Sequence, residues 1–520
     1  MDMEKNMKKV VVIGAGPAGL TAAYELSKQK KEYDVVVYEE SGTFGGISRT
    51  VNYKGNRMDM GGHRFFSKVD DVNKWWEEMM PTQGALSFDD RELSRKGNIV
   101  KNGPDPDKED RVMLKRNRLS RIFFKQKFFD YPISLKFETI KNMGFLTTIV
   151  VGFSYLKGTI FKRKEKSLED FYINRFGRKL YEMFFEKYTE NLWGRHPSEI
   201  SPEWGAQRVK GLSIMAILKD IFQKKVGKKN RHVETSLIEE FSYPKLGPGQ
   251  IWEITAQEII KNGGTIITNT KVENVCTKDD KAIGVNIIEN NEKKFVECDY
   301  VISSMPLKDL VVGMNDVPKS VRKIAEGLPY RDYVTVGILV KKLKLKNKTN
   351  IPTLNDIIPD NWVYVHDRNV TMGRFQVYNN WSPYMVKDPY NTVWLGLEYF
   401  CDEGDDFWNM PNKEIAKLGA KEIIRMGLVE SKKDLLDTHV ERVKKAYPAY
   451  FDTYAHIDEV KDYLAKFPNI LCVGRNGQHR YNNMDHSMCT SFEAVKNIKN
   501  NVTDHTNVWS VNTEAEYHEQ

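Results

Sequence analysis

At 520 residues the chain is long enough for two or three interwoven domains around a large buried core. Its 79 lysine and arginine residues against 71 aspartate and glutamate residues give a formal net charge of +8, which over this length favours acidic small molecules or a membrane surface as partners and argues against nucleic acid. The five cysteines are far apart and never spaced C-x-x-C, so we expect no disulfide framework, no metal site and a reducing, cytoplasmic setting.

The first predicted elements form a β-α-β unit. Apolar residues 10–13 have the composition of a buried strand, residues 22–26 have the spacing of a helix, and residues 35–38 form a second strand. Gly14 and later glycines interrupt the apolar stretch that follows the basic N-terminal residues, so we do not expect a secretory signal peptide. The unit predicts the start of a Rossmann-like α/β fold.

The turn after the first strand carries the pattern Gly14-x-Gly16-x-x-Gly19. Glycines at these positions permit a tight turn and let a pyrophosphate approach the N-terminus of the helix. Glu39 ends the next strand, where a carboxylate can accept hydrogen bonds from a ribose diol, and the glycine pair at 45–46 adds a turn whose amides can approach a phosphate. We therefore predict a dinucleotide site. Its predicted contacts are Gly14, Gly16, Pro17, Ala18, Gly19, Glu39, Glu40, Gly45 and Gly46.

A long apolar run extends over residues 143–161, with lysine and arginine on both sides. Its length approaches that of a short membrane-spanning helix, but Ser154, Lys157 and several glycine and threonine residues weaken that interpretation. We predict a buried or half-buried helix, with an interfacial membrane helix as the alternative. The basic runs at 111–127 and 224–231 are predicted to be solvated strand faces or helix ends, with contact to anionic lipid head groups as the alternative.

The remaining pattern predicts an α/β fold with α+β insertions. Residues 167–225 have helical spacing, residues 271–275, 282–288 and 294–303 have the pattern of strands, and residues 330–400 alternate as an antiparallel sheet would. The Rossmann-like domain is therefore predicted to be discontinuous. The expected division is a dinucleotide-binding domain at 1–70, 232–305 and 465–500, a helical substrate domain at 130–231, an antiparallel-sheet substrate domain at 71–129 and 306–464, and a polar tail at 501–520.

The run Val12-Ile13-Gly14-Ala15-Gly16-Pro17-Ala18-Gly19-Leu20, followed by Tyr38-Glu39 and Gly45-Gly46, resembles the FAD entry of the flavoprotein superfamily that contains amine oxidases, protoporphyrinogen oxidases, phytoene desaturases and UDP-galactopyranose mutases. The resemblance implies FAD as the cofactor. Residues 299–303 resemble a later strand under the cofactor, and residues 473–475 with 485–488 resemble the start of a C-terminal helix whose N-terminus faces it. The cofactor contacts that the resemblance adds are Gly61, Gly62, Val272, Gly474, Asp485, His486 and Ser487.

Further segments resemble the mutases within that superfamily. In chain order they are residues 61–67, 121–132, 167–177, 188–194, 204–209, 447–448 and 474–485. The resemblance implies a diphosphate clamp of Arg208 and Arg475 on opposite walls of a cleft, with hydroxyl donors from Tyr447 and Tyr481 and with His63 at the flavin. It also implies that Tyr188, Trp193 and Arg331 bind substrate. The alternatives are structural ion pairs for the two clamp arginines, a core position for Trp193 and a loop position for His63.

The mutases also use an arginine from the inserted sheet, and the resemblance implies Arg331 for that role. In the alternative register of residues 330–339, the position is Leu339 and the arginine is missing. The resemblance to the mutases implies that a reduced flavin attacks the anomeric carbon and interconverts pyranose and furanose sugars for surface polysaccharide synthesis. Its expected partners are a nucleotide-diphosphate sugar and a flavin reductant such as NAD(P)H, while peripheral membrane contact and oligomer formation stay open. The alternatives are an FAD-dependent oxidoreductase acting on an apolar substrate, and a non-catalytic FAD scaffold.

Overall fold

The structure, a computed structural model, describes residues 7–131, 133, 137–202 and 240–511, with residues 137 and 138 described by their backbone alone. The predicted segment 204–209 with Arg208, and the basic run at 224–231, lie outside these residues. The strands are β1 (Lys8–Ile13), β2 (Tyr33–Tyr38), β3 (Thr50–Tyr53), β4 (Asn56–Asp59), β5 (Met113–Asn117), β6 (Ser120–Phe124), β7 (Lys127–Asp130), β8 (Glu240–Pro244), β9 (Thr265–Ile267), β10 (Thr270–Lys278), β11 (Lys281–Glu289), β12 (Glu292–Glu297), β13 (Tyr300–Ser303), β14 (Tyr330–Val340), β15 (Trp362–Val365), β16 (Arg374–Val377), β17 (Val393–Cys401), β18 (Leu435–Pro448) and β19 (Ile470–Cys472). The helices are α1 (Pro17–Ser27), α2 (Asp70–Met79), α3 (Phe88–Glu92), α4 (Phe137–Met143), α5 (Phe145–Ile160), α6 (Leu168–Phe184), α7 (Glu186–Trp193), α8 (Gly249–Lys261), α9 (Leu307–Gly313), α10 (Lys319–Glu326), α11 (Tyr378–Trp381), α12 (Asp406–Asn409), α13 (Asn412–Arg425), α14 (Ile457–Leu464), α15 (Gly474–Gly477), α16 (Met484–Asn500) and α17 (Thr506–Ser510).

A five-stranded parallel sheet, in the order β19-β13-β1-β2-β9, forms the centre of the first layer. Both of its faces are covered, as the valine and isoleucine runs of its strands require. Val10 and Val12 of β1 pack into one core cluster with α1, α8 and α16, while Val11 and Ile13 pack into a second cluster on the opposite face. The mixed α/β class is confirmed, and the domain boundaries remain predictions.

A seven-stranded sheet, in the order β18-β14-β17-β16-β15-β6-β7, forms the second large layer. Its neighbours are antiparallel except β15 and β6, which run parallel. The smaller sheets are β10-β11-β12, β3-β4 and β5-β8. The β5-β8 pair joins residues 113–117 to residues 240–244.

The single strand predicted at 294–303 is wrong, because the chain breaks there into β12 and β13. β12 pairs with β11 in the antiparallel sheet, whereas β13 pairs with β1 in the parallel sheet. The change of sheet occurs at Asp299, whose main-chain amide donates to the carbonyl of Lys9 and whose carboxylate accepts from the amide of Lys9 at 2.7 Å. The two hydrogen bonds attach the start of β13 to β1.

Helix α5 lies where the sequence predicts a helix, but little of it is buried. It packs against α6 through a narrow stripe that contains Val151 and Gly158, and most of its other apolar side chains are exposed. The two backbones approach closely at Gly158 and Gly177, since a Cβ atom on Gly158 would lie 2.6 Å from the carbonyl oxygen of Ile173. No helix within the described residues is long and apolar enough to cross a membrane.

Candidate functional site

The glycine-rich turn between β1 and α1 is a close-packed backbone cradle. Gly14 has φ of +96°, a conformation that side chains other than glycine rarely adopt, and a Cβ atom on Gly19 would overlap the carbonyl oxygen of Gly14. Gly46 has φ of +54° and a Cβ atom there would lie 3.3 Å from the Cα of Gly16. The turn and the 45–46 segment therefore bring backbone without side chains together at the N-terminus of α1, the end of a helix that favours an anion.

Glu39 connects three segments of this cradle. Its Oε2 atom accepts a hydrogen bond of 2.7 Å from the amide of Ala15, and its Oε1 atom accepts one of 2.9 Å from the amide of Ser41. The amide of Gly45 in turn donates to the carbonyl of Ala15 at 2.8 Å. Of the other predicted contacts, Glu40 is exposed and lies 3.9 Å from the amine of Lys271, and Val272 is buried in β10.

The C-terminal block lies against the same end of α1. Gly474 has φ of +75°, and a Cβ atom there would lie 2.7 Å from the Cβ of Ala18. Asp485, in the first turn of α16, is buried and accepts a hydrogen bond of 3.0 Å from the hydroxyl of Ser67. His486 completes the capping box of α16 with Asn483. The remaining predicted contact, Ser487, donates a hydrogen bond of 3.0 Å to the side chain of Asn482.

A cavity of about 140 Å³ opens beside this block. It brings together four of the predicted catalytic residues, His63, Tyr447, Arg475 and Tyr481, from three separate parts of the chain. Its lining consists of Ile47, Met60, Gly61, Gly62, His63, Arg64, Phe66, Trp76, Tyr333, Arg374, Ala446, Tyr447, Arg475, Tyr481, Asn483, Met484 and Asp485.

His63 is a neutral imidazole in this cavity at physiological pH. Its Nδ1 atom lies 3.1 Å from the carbonyl oxygen of Gly61, which has φ of +94° and turns the loop toward the cavity. Burial and the positive charges of Arg475 and Arg374 lower the pKa of His63 to about 3. The ring can therefore exchange hydrogen bonds with a ligand, but it does not carry a charge to it.

Arg475 brings positive charge to the cavity wall without a carboxylate partner in the described chain. Its guanidinium donates to the main-chain carbonyls of Asn482, at 2.7 Å and 3.0 Å, and of Ala446, at 3.1 Å. The group lies 4.9 Å from the ring centre of Tyr481 and 5.7 Å from that of Tyr447. These contacts fix the guanidinium while leaving its charge available to an anion.

Tyr447 and Tyr481 stack on each other beside Arg475. Their ring centres are 5.7 Å apart and their planes differ by 12°. Burial raises the pKa of Tyr447, so its hydroxyl stays protonated and can donate a hydrogen bond. Tyr333 adds a third hydroxyl, which is buried and has no hydrogen-bond partner within the described residues. A ligand in the cavity would find this donor free.

The comparisons with known proteins agree with this geometry. The family described as flavin containing amine oxidoreductase matches residues 17–451, which is most of the chain. The protein belongs to this family. Accordingly, FAD is its cofactor, and the protein is an FAD-dependent enzyme of the isomerase or oxidoreductase type.

Individual members of the amine oxidoreductase family are distant from this chain in sequence. The chain is 24% identical over 369 residues to mitochondrial protoporphyrinogen oxidase of Nicotiana tabacum, covering 66% of this chain and 67% of that protein. It is 24% identical over 286 residues to coproporphyrinogen III oxidase of Staphylococcus aureus (strain NCTC 8325 / PS 47), covering 52% of this chain and 55% of that protein. The second match thus spans about half the length of the relative.

Among solved structures, reduced UDP-galactopyranose mutase superposes on this chain with a TM-score of 0.75 at 20% identity, over 99% of this chain and 100% of that chain. A triple mutant of putrescine oxidase superposes with a TM-score of 0.57 at 12% identity, over 95% of this chain and 99% of that chain. At these identities the likeness shows the fold that this chain shares with both proteins.

The residues of this chain fit FAD on three observations. The glycines of the cradle leave no room for side chains where a dinucleotide must approach the backbone. The N-termini of α1 and α16, which both favour negative charge, lie on the same side of the parallel sheet. The buried hydroxyl of Tyr333, at the cavity end of this arrangement, has no hydrogen-bond partner in the part of the chain that the structure describes. The pyrophosphate would lie at Gly14 to Gly19, and the isoalloxazine would lie toward Gly61 and His63.

Three predicted substrate contacts lie away from the cavity lining. Arg331 forms an ion pair of 2.5 Å with Asp402 and donates to the last carbonyls of α7, so the prediction that it supplies the arginine of the inserted sheet is not supported by its position. Trp193 is 2% exposed in the core, and Tyr188 stacks on His366 with ring centres 4.9 Å apart. Their assignment as substrate contacts remains a prediction.

Arg374 is a cavity residue that sequence reasoning missed, as it also missed Tyr333. Arg374 begins β16, lies directly opposite Glu398 on β17, and forms an ion pair of 2.6 Å with it. Its Nη2 atom also donates a hydrogen bond of 2.8 Å to the hydroxyl of Tyr447. The available signal was the alternation of Arg374, Phe375 and Gln376 in a short strand, which places the two polar side chains on one face.

Proposed function

We propose that this FAD-dependent enzyme is a nucleotide-sugar mutase that interconverts the pyranose and furanose forms of a sugar nucleotide, for surface polysaccharide synthesis. The observation that carries the proposal is the pair of guanidinium groups, Arg374 and Arg475, on either side of Tyr447 in one cavity. The remaining N–H groups of two such guanidiniums can donate charge-assisted hydrogen bonds to a diphosphate. An oxidase with a neutral apolar substrate has no need of them.

The chain's own residues have defined tasks in this proposal. Arg475 supplies a charge that no carboxylate of the described chain neutralises, while Arg374 is held rigid by Glu398. Tyr447 and Tyr481 donate hydroxyl hydrogen bonds to the diphosphate, so that the nucleotide is retained while its bond to the sugar is broken. The reduced flavin supplies the nucleophile for the anomeric carbon. His63 is neutral and positions the ligand without adding charge beside the flavin.

The domain division, Arg208 as a second phosphate ligand and NAD(P)H as the source of electrons belong to the same proposal. The composition of the parallel sheet supports the discontinuous domain, because it takes strands from residues 8–38, 265–303 and 470–472. Two residues of the N-terminal cradle, Gly14 and Gly19, and Gly474 from the C-terminal block would then contact one FAD molecule.

A second candidate is an oxidoreductase that removes hydride from an apolar substrate. It is favoured by the porphyrinogen oxidases among the relatives and by the apolar side chains of Ile47, Met60 and Phe66 in the cavity wall. The two candidates differ in the fate of electrons, because a mutase returns the flavin to its starting redox state, whereas an oxidoreductase transfers hydride from the substrate to the flavin. A diphosphate requires the guanidinium groups, whereas an apolar substrate would use the aliphatic and aromatic wall.

The decisive experiment compares the two chemistries in one preparation. Anaerobically reduced and oxidised protein are incubated with UDP-galactopyranose and a panel of UDP- and dTDP-sugars, and the products are separated by chromatography. We expect a furanose product only from the reduced protein. Oxidised protein is also incubated with coproporphyrinogen and protoporphyrinogen, and porphyrin fluorescence is followed. Porphyrin formation with no sugar isomerisation would overturn the mutase proposal and establish the oxidoreductase.

A further inference from the structure

One face of α5 is apolar and exposed along its whole length. The exposed fractions of its large side chains lie between 39% and 78%, values usual for charged residues. We call this set the α5 face. It consists of Phe145, Leu146, Ile149, Val150, Phe153, Leu156, Ile160 and, just after the helix, Phe161.

The α5 face cannot turn into the core, because the opposite side of the helix is fixed. At about 100° per residue, the helical members of the face fall within an arc of roughly 140°. Val151 and Gly158 lie outside this arc and pack on α6, where Gly158 meets the backbone of Ile173 and Gly177. The hydroxyl of Ser154 also accepts a hydrogen bond of 2.9 Å from the amide of Lys179 in α6. Contact with α6 thus holds the apolar face outward.

Positive charge surrounds the α5 face. Residues 139–166 contain six basic residues and one acidic residue. The acidic one, Glu165, pairs with Arg175 at 2.6 Å, and Arg163 pairs with Asp170 at 3.4 Å. The lysines of this segment have no carboxylate partner among the described residues. They are Lys141, Lys157, Lys162, Lys164 and Lys166, all of them exposed.

We propose that the α5 face docks on a membrane surface that contains anionic phospholipid, with the helix lying in the plane of that surface. The apolar side chains would enter the boundary between head groups and acyl chains, and the lysines would contact lipid phosphates. The helix has 16 residues, about 24 Å in length, which is shorter than the roughly 30 Å of a bilayer core. This inference goes beyond the proposed function and holds for either candidate chemistry.

The charges favour a membrane over a second copy of the chain. Two α5 faces brought together in parallel would place both sets of lysines side by side, and in either direction they would enclose Lys157, which falls within the arc of the face, at a cost in electrostatic free energy. A free phosphate ion would satisfy a lysine but would leave Phe153 and Leu156 in water. An anionic membrane is the partner that matches the apolar and the positive parts of the face together.

Sedimentation with vesicles tests the proposal on the full flavoprotein. We expect co-sedimentation with vesicles of phosphatidylcholine and phosphatidylglycerol, weaker binding to phosphatidylcholine alone, and further weakening in high salt. Phe153→Glu should lower the partition coefficient by about 10-fold or more, since it removes a buried aromatic ring from the interface. The matched control is Phe295→Glu, at a phenylalanine that is 50% exposed on β12, and it should bind as the unaltered protein does.

Other outcomes would assign the α5 face elsewhere. Equal binding of Phe153→Glu and the unaltered protein, or no binding to anionic vesicles, would overturn the proposal. So would an oligomer that Phe153→Glu dissociates in the absence of vesicle binding, because the occupant would then be a second copy. If Phe153→Glu lowers the melting temperature and the protein does not bind vesicles, another segment of the same chain packs on the α5 face. Flavin absorbance verifies that each variant is folded.

Discussion

The guanidinium of Arg374 donates a hydrogen bond of 2.8 Å to the hydroxyl of Tyr447, although the two residues lie on strands separated by two others in the same sheet. Glu398, which is 1% exposed, holds the other edge of the guanidinium. The three side chains form a rigid polar wall of the cavity. Because the wall is assembled before any ligand binds, little conformational entropy is lost when an anion reaches it.

Replacing Arg374 by lysine should weaken binding of UDP by about 10- to 100-fold, because an ammonium cannot contact Glu398, Tyr447 and a phosphate in one plane. The dissociation constant is measured by titration of the flavin absorbance. Arg331→Lys is the matched control, since Arg331 is also a strand arginine paired with a carboxylate but contacts α7 and Asp402. It should lower the melting temperature and leave UDP binding unchanged. An equal loss of UDP binding in both variants would contradict the assignment of Arg374.

Removal of the hydroxyl of Tyr447 should weaken UDP binding by about 5- to 10-fold, the equivalent of one hydrogen bond. Tyr447→Phe keeps the aromatic stack with Tyr481, so the ring contacts of the cavity survive. The effect should disappear in the Arg374→Lys background, because the hydroxyl acts on the ligand together with that guanidinium. Fully additive losses in a double-mutant cycle would show that the two residues act independently.

His63 should make stability depend on pH in a defined window. Its pKa in the folded protein, about 3, is below the ordinary value of 6.5, so between these values the unfolded chain binds more protons. The free energy of unfolding therefore falls as pH decreases from 6.5 toward 3. His63→Asn should reduce this slope in urea denaturation series. His366→Asn should also reduce it, since burial lowers the pKa of His366 to about 3.

Only the His63 variant should also perturb the flavin spectrum, because His366 does not line the cavity. If the free energy of unfolding of His63→Asn depended on pH as steeply as that of the unaltered protein, the imidazole of His63 would be solvated. Turnover should have no inflection from His63 above about pH 5, since a group with such a low pKa is already neutral there.

The two glycines of α5 should respond to alanine in opposite directions. Gly152 is exposed with nothing within 4 Å of a Cβ atom, so Gly152→Ala should stabilise the protein by about 0.5 to 1 kcal/mol through helix propensity. Gly158→Ala places a methyl group against the carbonyl of Ile173 and should destabilise it by about 1 to 3 kcal/mol. Thermal and urea unfolding measure both. A stabilising Gly158→Ala would contradict the close contact of α5 and α6.

The sequence predicted the parts of the site that depend on local geometry. The positive φ of Gly14 and the position of Glu39 after β2 follow from short patterns, because the backbone conformation they serve is set within a few residues. His63, Tyr447, Arg475 and Tyr481 came from resemblance and meet at the cavity.

The parts it did not predict depend on partners distant in the chain. Arg331 and Arg374 are both strand arginines of one sheet, and only the pairing of strands decides that Arg374 lines the cavity while Arg331 contacts α7. The break at Asp299 likewise depends on which sheet each half joins. In α5 the side that packs on α6 contains Ser154 and Gly158, whereas most of the large apolar side chains lie on the exposed side, so hydrophobic periodicity alone would indicate the wrong side.

The order β19-β13-β1-β2-β9 has a consequence for biosynthesis. β1 leaves the ribosome first but cannot have β13 beside it until about 290 further residues have been made, and β19 follows only at residues 470–472. Such distant pairings make folding slow and leave strand edges uncovered in the nascent chain. We therefore expect cofactor loading to be essentially post-translational. Chaperones that shield nascent strands, together with the supply of free FAD, should limit the yield of active protein.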